Sequence, residues 1–201
     1  MSDIEETLKR AGRGMAVAPP PELLGAVADR AQAKGLLDVA YATVESPLGP
    51  LTVAASDRGL LRVAFPLFAP DQVLEEISAR VSPRILEAPG RLDGIRRELD
   101  AYFAGSLRRF ETPLDWSLSR GFYLEVLKAT AKIGYGEVSS YGKVAAAAGS
   151  PRAVRAAGTG LGSNPIPVVV PCHRVLHTGG GLGGYAGGLE RKEFLLDLER
   201  R

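Results

Sequence analysis

Asn164-Pro165-Ile166-Pro167-Val168-Val169-Val170-Pro171-Cys172-His173-Arg174-Val175 is the stretch on which the reading of this chain turns. Its apolar run is bracketed by prolines and predicts a buried β-strand that delivers Cys172 and His173 at its end. Consecutive side chains on a strand point to opposite faces, so the thiol and the imidazole cooperate only where the backbone turns, and Pro171 offers a place for that turn. The chain has 1 cysteine and 2 histidines. That excludes an intramolecular disulfide and a Cys-rich structural zinc site, and leaves Cys172 as a lone thiol. Two readings of it stand side by side here: an inert buried hydrophobe, and a nucleophile activated by its neighbour. The glycine-rich segment Gly179-Gly180-Gly181-Leu182-Gly183-Gly184-Tyr185 follows directly, and glycine lets backbone approach a ligand closely.

Upstream the pattern is helical. Phe122, Val126, Ala129 and Ile133 share one face of a helix that is expected to end at Gly134. Ser139 and Ser140 are capping residues for a short helix carrying Tyr141, Val144, Ala145 and Ala148, which Gly149 closes. Ser150 is then expected to cap a second helix, from Pro151 to about Gly162, with proline tolerated in its first turn. Two short helices joined by a tight, Gly-containing turn are the pattern of a helix-turn-helix. Arg152 and Arg155 share a face of the second helix. They read either as solvated charges on a small-residue core helix or as contacts to a phosphate backbone.

Before Trp116 the texture differs. Val39–Val44, Leu51–Ala55 and Leu60–Phe65 are short β-prone runs separated by Pro47-Leu48-Gly49-Pro50 and Ser56-Asp57-Arg58-Gly59, which predicts an antiparallel meander. A helix is expected over Asp71–Val81 and another from near Pro89, with Leu92, Ile95, Leu99 and Tyr102 at helical spacing and Gly105 as its stop. This half reads as scaffold, with no catalytic constellation. Residues 1–38, punctuated by Pro19-Pro20-Pro21, read as an appendage of one or two small helices. The expected fold class is therefore α+β: a small antiparallel sheet with helices, then a mainly helical part that holds the helix-turn-helix and the Pro-Cys-His-Arg strand.

With 201 residues, 45% hydrophobic and 24% charged, the sequence has the balance of a globular protein, and its longest apolar run is far too short to cross a bilayer. The acidic N-terminus with no apolar stretch does not read as a signal peptide, so a cytoplasmic location is expected. The net charge of +2 is unevenly spread. Residues 1–116 carry 14 Lys/Arg against 17 Asp/Glu, and residues 117–201 carry 11 against 6. The second half thus has the positive excess that a phosphate-facing surface needs.

At this point the residues resemble a family. Pro171-Cys172-His173-Arg174-Val175, with Asn164-Pro165 before it and Gly183-Gly184-Tyr185-Ala186-Gly187-Gly188-Leu189 after it, is similar to the active-site signature of the O6-alkylguanine-DNA alkyltransferases, also called methylated-DNA-protein-cysteine methyltransferases. The resemblance covers residues 40–201 and is strongest from Phe122 onward. It implies a ribonuclease-H-like scaffold over residues 39–116 and a DNA-binding, alkyl-acceptor domain over residues 117–201. It also implies direct, irreversible, single-turnover transfer of an alkyl group from guanine O6 in DNA to Cys172, with O4-alkylthymine as a further substrate to be considered.

The roles implied by the resemblance are specific. His173 takes the thiol proton through a water, Glu199 orients the histidine from a final helix over Arg191–Arg200, and Tyr141 donates a proton to guanine N3. Asn164 braces the turn, Pro167 forms a pocket wall, and Val175 joins the substrate-binding set. Backbone N–H groups of Tyr185 and Ala186 hold O6; relatives often carry serine where Ala186 stands, and alanine keeps the backbone donor. Arg155 enters the base stack in place of the extruded nucleotide, while Arg152 and Ser150 touch DNA beside it. The implied partner is double-stranded DNA, met through its minor groove by a monomer, with no metal, no cofactor and no membrane. The runner-up is a non-catalytic sensor of alkylated bases with the same fold; the intact Cys172, His173 and Glu199 set argues against it. A Cys-His hydrolase is a third class, and it would need an oxyanion site that releases product.

Overall fold

Short β-prone runs between Val39 and Ala64, broken twice by turn residues, build three antiparallel strands: β1 (Val39–Val44), β2 (Leu51–Ser56) and β3 (Gly59–Ala64). The computed structural model describes residues 21–200. The β2–β3 turn depends on Gly59, whose φ of +131° and approach to the Pro113 carbonyl leave no room for a Cβ. A fourth strand, β4 (Ile85–Glu87), pairs in parallel with β1 and gives the sheet the order β3-β2-β1-β4. The meander expected from sequence lacked this strand, because three residues between Pro83 and Pro89 are too few to show a period. The chain crosses from β3, at one edge of the sheet, to β4, at the other, through α2 (Pro70–Arg80), the kind of helical connection that parallel strands of one sheet need.

A 3-10 turn at Pro89–Leu92 leads into α3 (Asp93–Phe103), which buries Ile95, Leu99 and Tyr102 on one face, while Leu92 is buried in the turn itself. Before the sheet, α1 (Pro21–Ala33) packs Ala28 beside Leu37, Ala40 and Ala88. Any further helix in residues 1–20 lies outside the described residues.

The second half supplies α4 (Gly121–Thr130), a two-residue strand β5 (Ser139–Ser140), α5 (Tyr141–Ala147), α6 (Val154–Gly162), a second two-residue strand β6 (Val175–Leu176) and α7 (Leu189–Glu199). Helix α4 stops short of Gly134. Ile133 N–H donates to the Thr130 carbonyl at 3.0 Å, a tight turn that pulls the chain off the helix axis. Ser140 caps α5, accepting from Lys143 N–H at 3.3 Å.

Ser150 is not the cap that the sequence suggested. Its backbone closes the turn after α5, and α6 begins only at Val154, with Ala153 at its N-cap and no side-chain cap. Pro151 accordingly lies in the connecting turn, residues 148–153, which is longer than expected. The final helix starts at Leu189, two residues earlier than expected, and Gly188 at φ +88° sets its entry.

One core joins the two halves. Leu51, Val53, Leu99 and Tyr102 from the first half pack with Leu127, Ile166, Val170 and Leu195 from the second, all buried. The halves are also tied by Val63 N–H to the Pro165 carbonyl at 2.9 Å and by Arg191 Nε to the Leu48 carbonyl at 3.0 Å. Among the described residues no helix is long and apolar enough to cross a membrane.

A shared core makes the halves interdependent. Leu127→Ala, at a site with 0% exposure, is expected to cost about 2–5 kcal/mol. In urea titrations far-UV circular dichroism and Trp116 fluorescence should shift together to the lower midpoint. Separate transitions would show that the halves fold independently.

Candidate active site

The segment read as a strand is not one. Residues 164–171 form a sequence of turns, and Cys172–Arg174 is a 3-10 turn. Proline at 165, 167 and 171 removes three ladder donors, which a buried strand does not tolerate. Asn164 holds the turns together instead. Its side-chain oxygen accepts from Ile166 N–H at 3.0 Å, and its amide donates to the Val170 carbonyl at 2.9 Å and to Cys172 Sγ at 3.1 Å. Within this bracket Val168 sits at φ +74°, a conformation that a β-branched residue adopts only where its surroundings compel it. Pro167 and Val168 are both buried.

Behind the turn lies a carboxylate with many donors. Glu199, at the end of α7, accepts from His173 Nε2 at 2.8 Å, from Tyr102 Oη at 2.6 Å, from Arg174 Nε and Nη2 at 2.8 Å each, and from Gly136 N–H at 3.3 Å. Burial raises the Glu199 pKa. The hydrogen bonds from His173 and Arg174 overcome that effect and hold the group well below the usual carboxylate range. Glu199 is therefore ionised, and His173 Nε2 carries the proton facing it. The other ring nitrogen, Nδ1, is buried with no partner among the described residues, so its lone pair is free to take a proton. Burial pulls the His173 pKa down, with Glu199 pulling the other way, so the ring is neutral at rest.

The thiol is also held protonated. Burial pushes Cys172 from an ordinary 9.0 up to about 11, against smaller lowering effects of the Asn164 amide and the Lys192 ammonium. Lys192 is itself fully buried, donating to the Val175 carbonyl at 2.7 Å and to the Leu182 carbonyl. It thereby ties the glycine-rich loop to β6. β6 in turn pairs with β5, which places Tyr141, at the start of α5, beside the sulfur.

Cys172 opens onto a cavity of about 450 Å³ lined by Tyr141, Arg155, His177, Tyr185 and Ala186 among others. The Tyr141 ring packs against Gly158, and its hydroxyl lies so close to Gly183 that a Cβ there would come within 2.5 Å. Burial and the neighbouring Cys172 raise its pKa, so it keeps its proton. Of the residues singled out from sequence, Cys172, Tyr141, Tyr185, Ala186 and Arg155 share this cavity. Asn164, His173 and Glu199 stand behind the sulfur. Val175 is buried, with its carbonyl engaged by Lys192. Arg152 is exposed in the turn before α6, Ser150 is half-buried there, and neither lines the cavity.

Sequence reasoning missed Tyr102, Arg174, Lys192 and His177. Tyr102 occupies a core position of α3, in the half read as pure scaffold, yet its hydroxyl reaches the carboxylate. The signal was a tyrosine in an otherwise aliphatic stripe, whose buried hydroxyl needs an acceptor.

Set beside known proteins, this arrangement has clear relatives. Residues 39–116 match the family described as 6-O-methylguanine DNA methyltransferase, ribonuclease-like domain, and residues 121–201 match 6-O-methylguanine DNA methyltransferase, DNA binding domain. A methylated-DNA--protein-cysteine methyltransferase of Mycolicibacterium paratuberculosis is 44% identical over 163 residues, covering 81% of this chain and 93% of that protein. One from Mycobacterium tuberculosis is 41% identical over 160 residues, covering 80% and 92%. The crystal structure of Mycobacterium tuberculosis OGT in complex with DNA superposes with a TM-score of 0.69 at 40% identity, over 80% of this chain and 92% of that one. Profile, identity and fold agree across both halves, and the chain belongs to the 6-O-methylguanine DNA methyltransferase family.

Proposed function

We propose that this protein repairs DNA by moving an alkyl group from O6 of guanine onto Cys172 in a single, irreversible turnover. The observation that carries the reading is the position of Cys172. Its thiol faces a cavity large enough for a purine, with a neutral, Glu199-oriented histidine beside it in sequence and a protonated tyrosine lining the same cavity. Membership of the family and the DNA-bound relative support the same activity.

His173 Nδ1 takes the thiol proton through a water, and Glu199 stabilises the imidazolium that forms. The sulfur forms a bond to the alkyl carbon, the carbon–O6 bond breaks, and its electron pair stays on the purine. Tyr141 donates a proton to N3, and backbone N–H groups at Tyr185 and Ala186 hold O6. The thiol is a strong acid neither by charge nor by exposure, so activation is confined to the moment when a base fills the cavity.

DNA reaches the cavity through α5, α6 and the turn between them, used as a helix-turn-helix. Arg155, at the cavity mouth, enters the stack that the base has left; Arg152 and Ser150 meet the backbone. The minor groove is the surface entered, because a protein that repairs any sequence gains nothing from the major-groove code. The scaffold runs over residues 39–116 and the acceptor domain over 117–201, with residues 1–38 as an appendage. All groups of the site come from one chain, which supports action as a monomer. An acceptor thiol that must stay reduced fits the cytoplasm.

The deciding experiment is intact mass after incubation with duplex DNA containing O6-methylguanine. The wild type should gain one methyl group, located on Cys172. Cys172→Ser should gain none while still binding the duplex. Methylation of that variant would disprove the acceptor assignment.

Glu199→Gln should slow single-turnover transfer by about a hundredfold or more at saturating DNA, because the imidazolium loses its counter-charge. Since Arg174 would then be buried without a carboxylate, stability should also fall, by about 3–5 kcal/mol in urea unfolding. A folded variant that reacts at the wild-type rate would remove Glu199 from the relay.

Arg155→Ala should impair repair of duplex DNA far more than reaction with free O6-benzylguanine, which needs no extrusion. Arg152→Ala should instead weaken binding to any duplex and flatten its salt dependence by about one counterion. Equal slowing of both Arg155→Ala reactions would mark that residue as a support of the fold.

A further inference from the structure

His177 has no part in the mechanism above, yet the chain goes to some length to place it. After β6 the backbone reverses: His177 N–H donates to the Gly181 carbonyl at 2.8 Å, and Gly180 N–H donates to the His177 carbonyl at 2.9 Å. Gly180 takes φ +82° within that reversal. The result is an imidazole that lines the same cavity as Cys172, with its centroid 5.1 Å from that of Tyr141 and the two ring planes inclined by 41°.

The two rings differ in how they are held. Tyr141 is fixed by Gly158 and Gly183, as described, and is half-buried. His177 is exposed, so its ring contributes little to the core. A ring anchored by its backbone, exposed at a cavity mouth and leaning on a second ring is suited to contact with a flat guest. Aromatic surfaces of this kind hold bases of any identity, because every base has a π-face.

We propose that His177 contacts the substrate base: its imidazole forms a wall on whose face the alkylated purine rests, while the Tyr141 ring, inclined at 41° to it, presents its hydroxyl to the purine edge. The proposal rests on the reading that this cavity receives the base. It assigns His177 to binding of the purine, and leaves proton transfer to Tyr141 and His173.

The test uses free O6-benzylguanine and the full chain, following benzylation of Cys172 by intact mass as a function of concentration. His177→Ala should raise the half-saturating concentration about tenfold, the loss of one stacking surface, and leave the limiting rate within about twofold. His177→Phe keeps a flat ring and should return the half-saturating concentration to within about twofold of wild type. Thermal unfolding of both variants should match wild type closely, since the side chain is exposed.

An unchanged half-saturating concentration in His177→Ala would overturn the proposal. A fall confined to the limiting rate would do the same, because it would make the ring a prop for Tyr141 alone. Failure of phenylalanine to restore binding would exclude a stacking wall. No mass gain on wild-type Cys172 would overturn the transfer reading itself, and the wall with it.

Discussion

The Glu199 carboxylate is the point on which the two halves of this protein and its chemistry converge. Its donors arrive from α3, from the loop after α4 and from the 3-10 turn that carries Cys172, while the carboxylate itself belongs to α7. A buried carboxylate costs several kcal/mol of hydration and is tolerated only where its lone pairs are filled. Here they are filled by donors that include Tyr102, 97 residues away from Glu199 in sequence. Correct packing of the scaffold against the acceptor half is thus a precondition for a correctly oriented imidazole. In the proposed single-turnover transfer, a nucleophile that is not regenerated gains from being activated only in the assembled fold.

The same burial that makes Glu199 a hub keeps the sulfur quiet. With its pKa at about 11, Cys172 is a thiol at neutral pH, in contrast to the exposed, low-pKa cysteines that react with any electrophile. On the proposed mechanism reactivity is conditional on geometry: the proton leaves only when His173, backed by Glu199, accepts it and an alkyl carbon lies in line. The folded thiol also carries a linkage consequence. A pKa raised on folding contributes stability that is complete below the unfolded value near 9 and is lost as pH rises toward about 11.

Much of this architecture was legible in the sequence, and the losses have physical causes. The meander was readable because β1, β2 and β3 lie between clear turn residues, and α3 because its apolar residues recur at helical spacing. The turns around Cys172 imitate a strand because their composition is valine-rich, but three prolines in seven residues leave too few donors for a ladder. Helix α6 begins later than the sequence suggests because the Ser150–Pro151 pair imitates a cap, while the backbone uses both residues in a turn. Family resemblance, not periodicity, pointed to Glu199 and Tyr141. Tyr102, Arg174 and Lys192 were out of reach of either, since each matters through a partner brought close only by tertiary packing.

Tyr102, Arg174 and Lys192 share one property: each buries a charge or hydroxyl that the fold must satisfy at a distance. Lys192 illustrates the consequence. Its ammonium is spent on two carbonyls, one on β6 and one on the glycine-rich loop, so the loop that approaches the base in the proposed mechanism is tied down by a buried side chain. A loop of glycines is free to adopt the approach, but that freedom is entropic and has to be removed before a base can be held in register. Burying a lysine at 0% exposure to fix two carbonyls removes it locally, without placing any bulk in the cavity. The site is thus built from permissive backbone at its surface and demanding electrostatics behind it, and the second layer is what gives the first a single conformation.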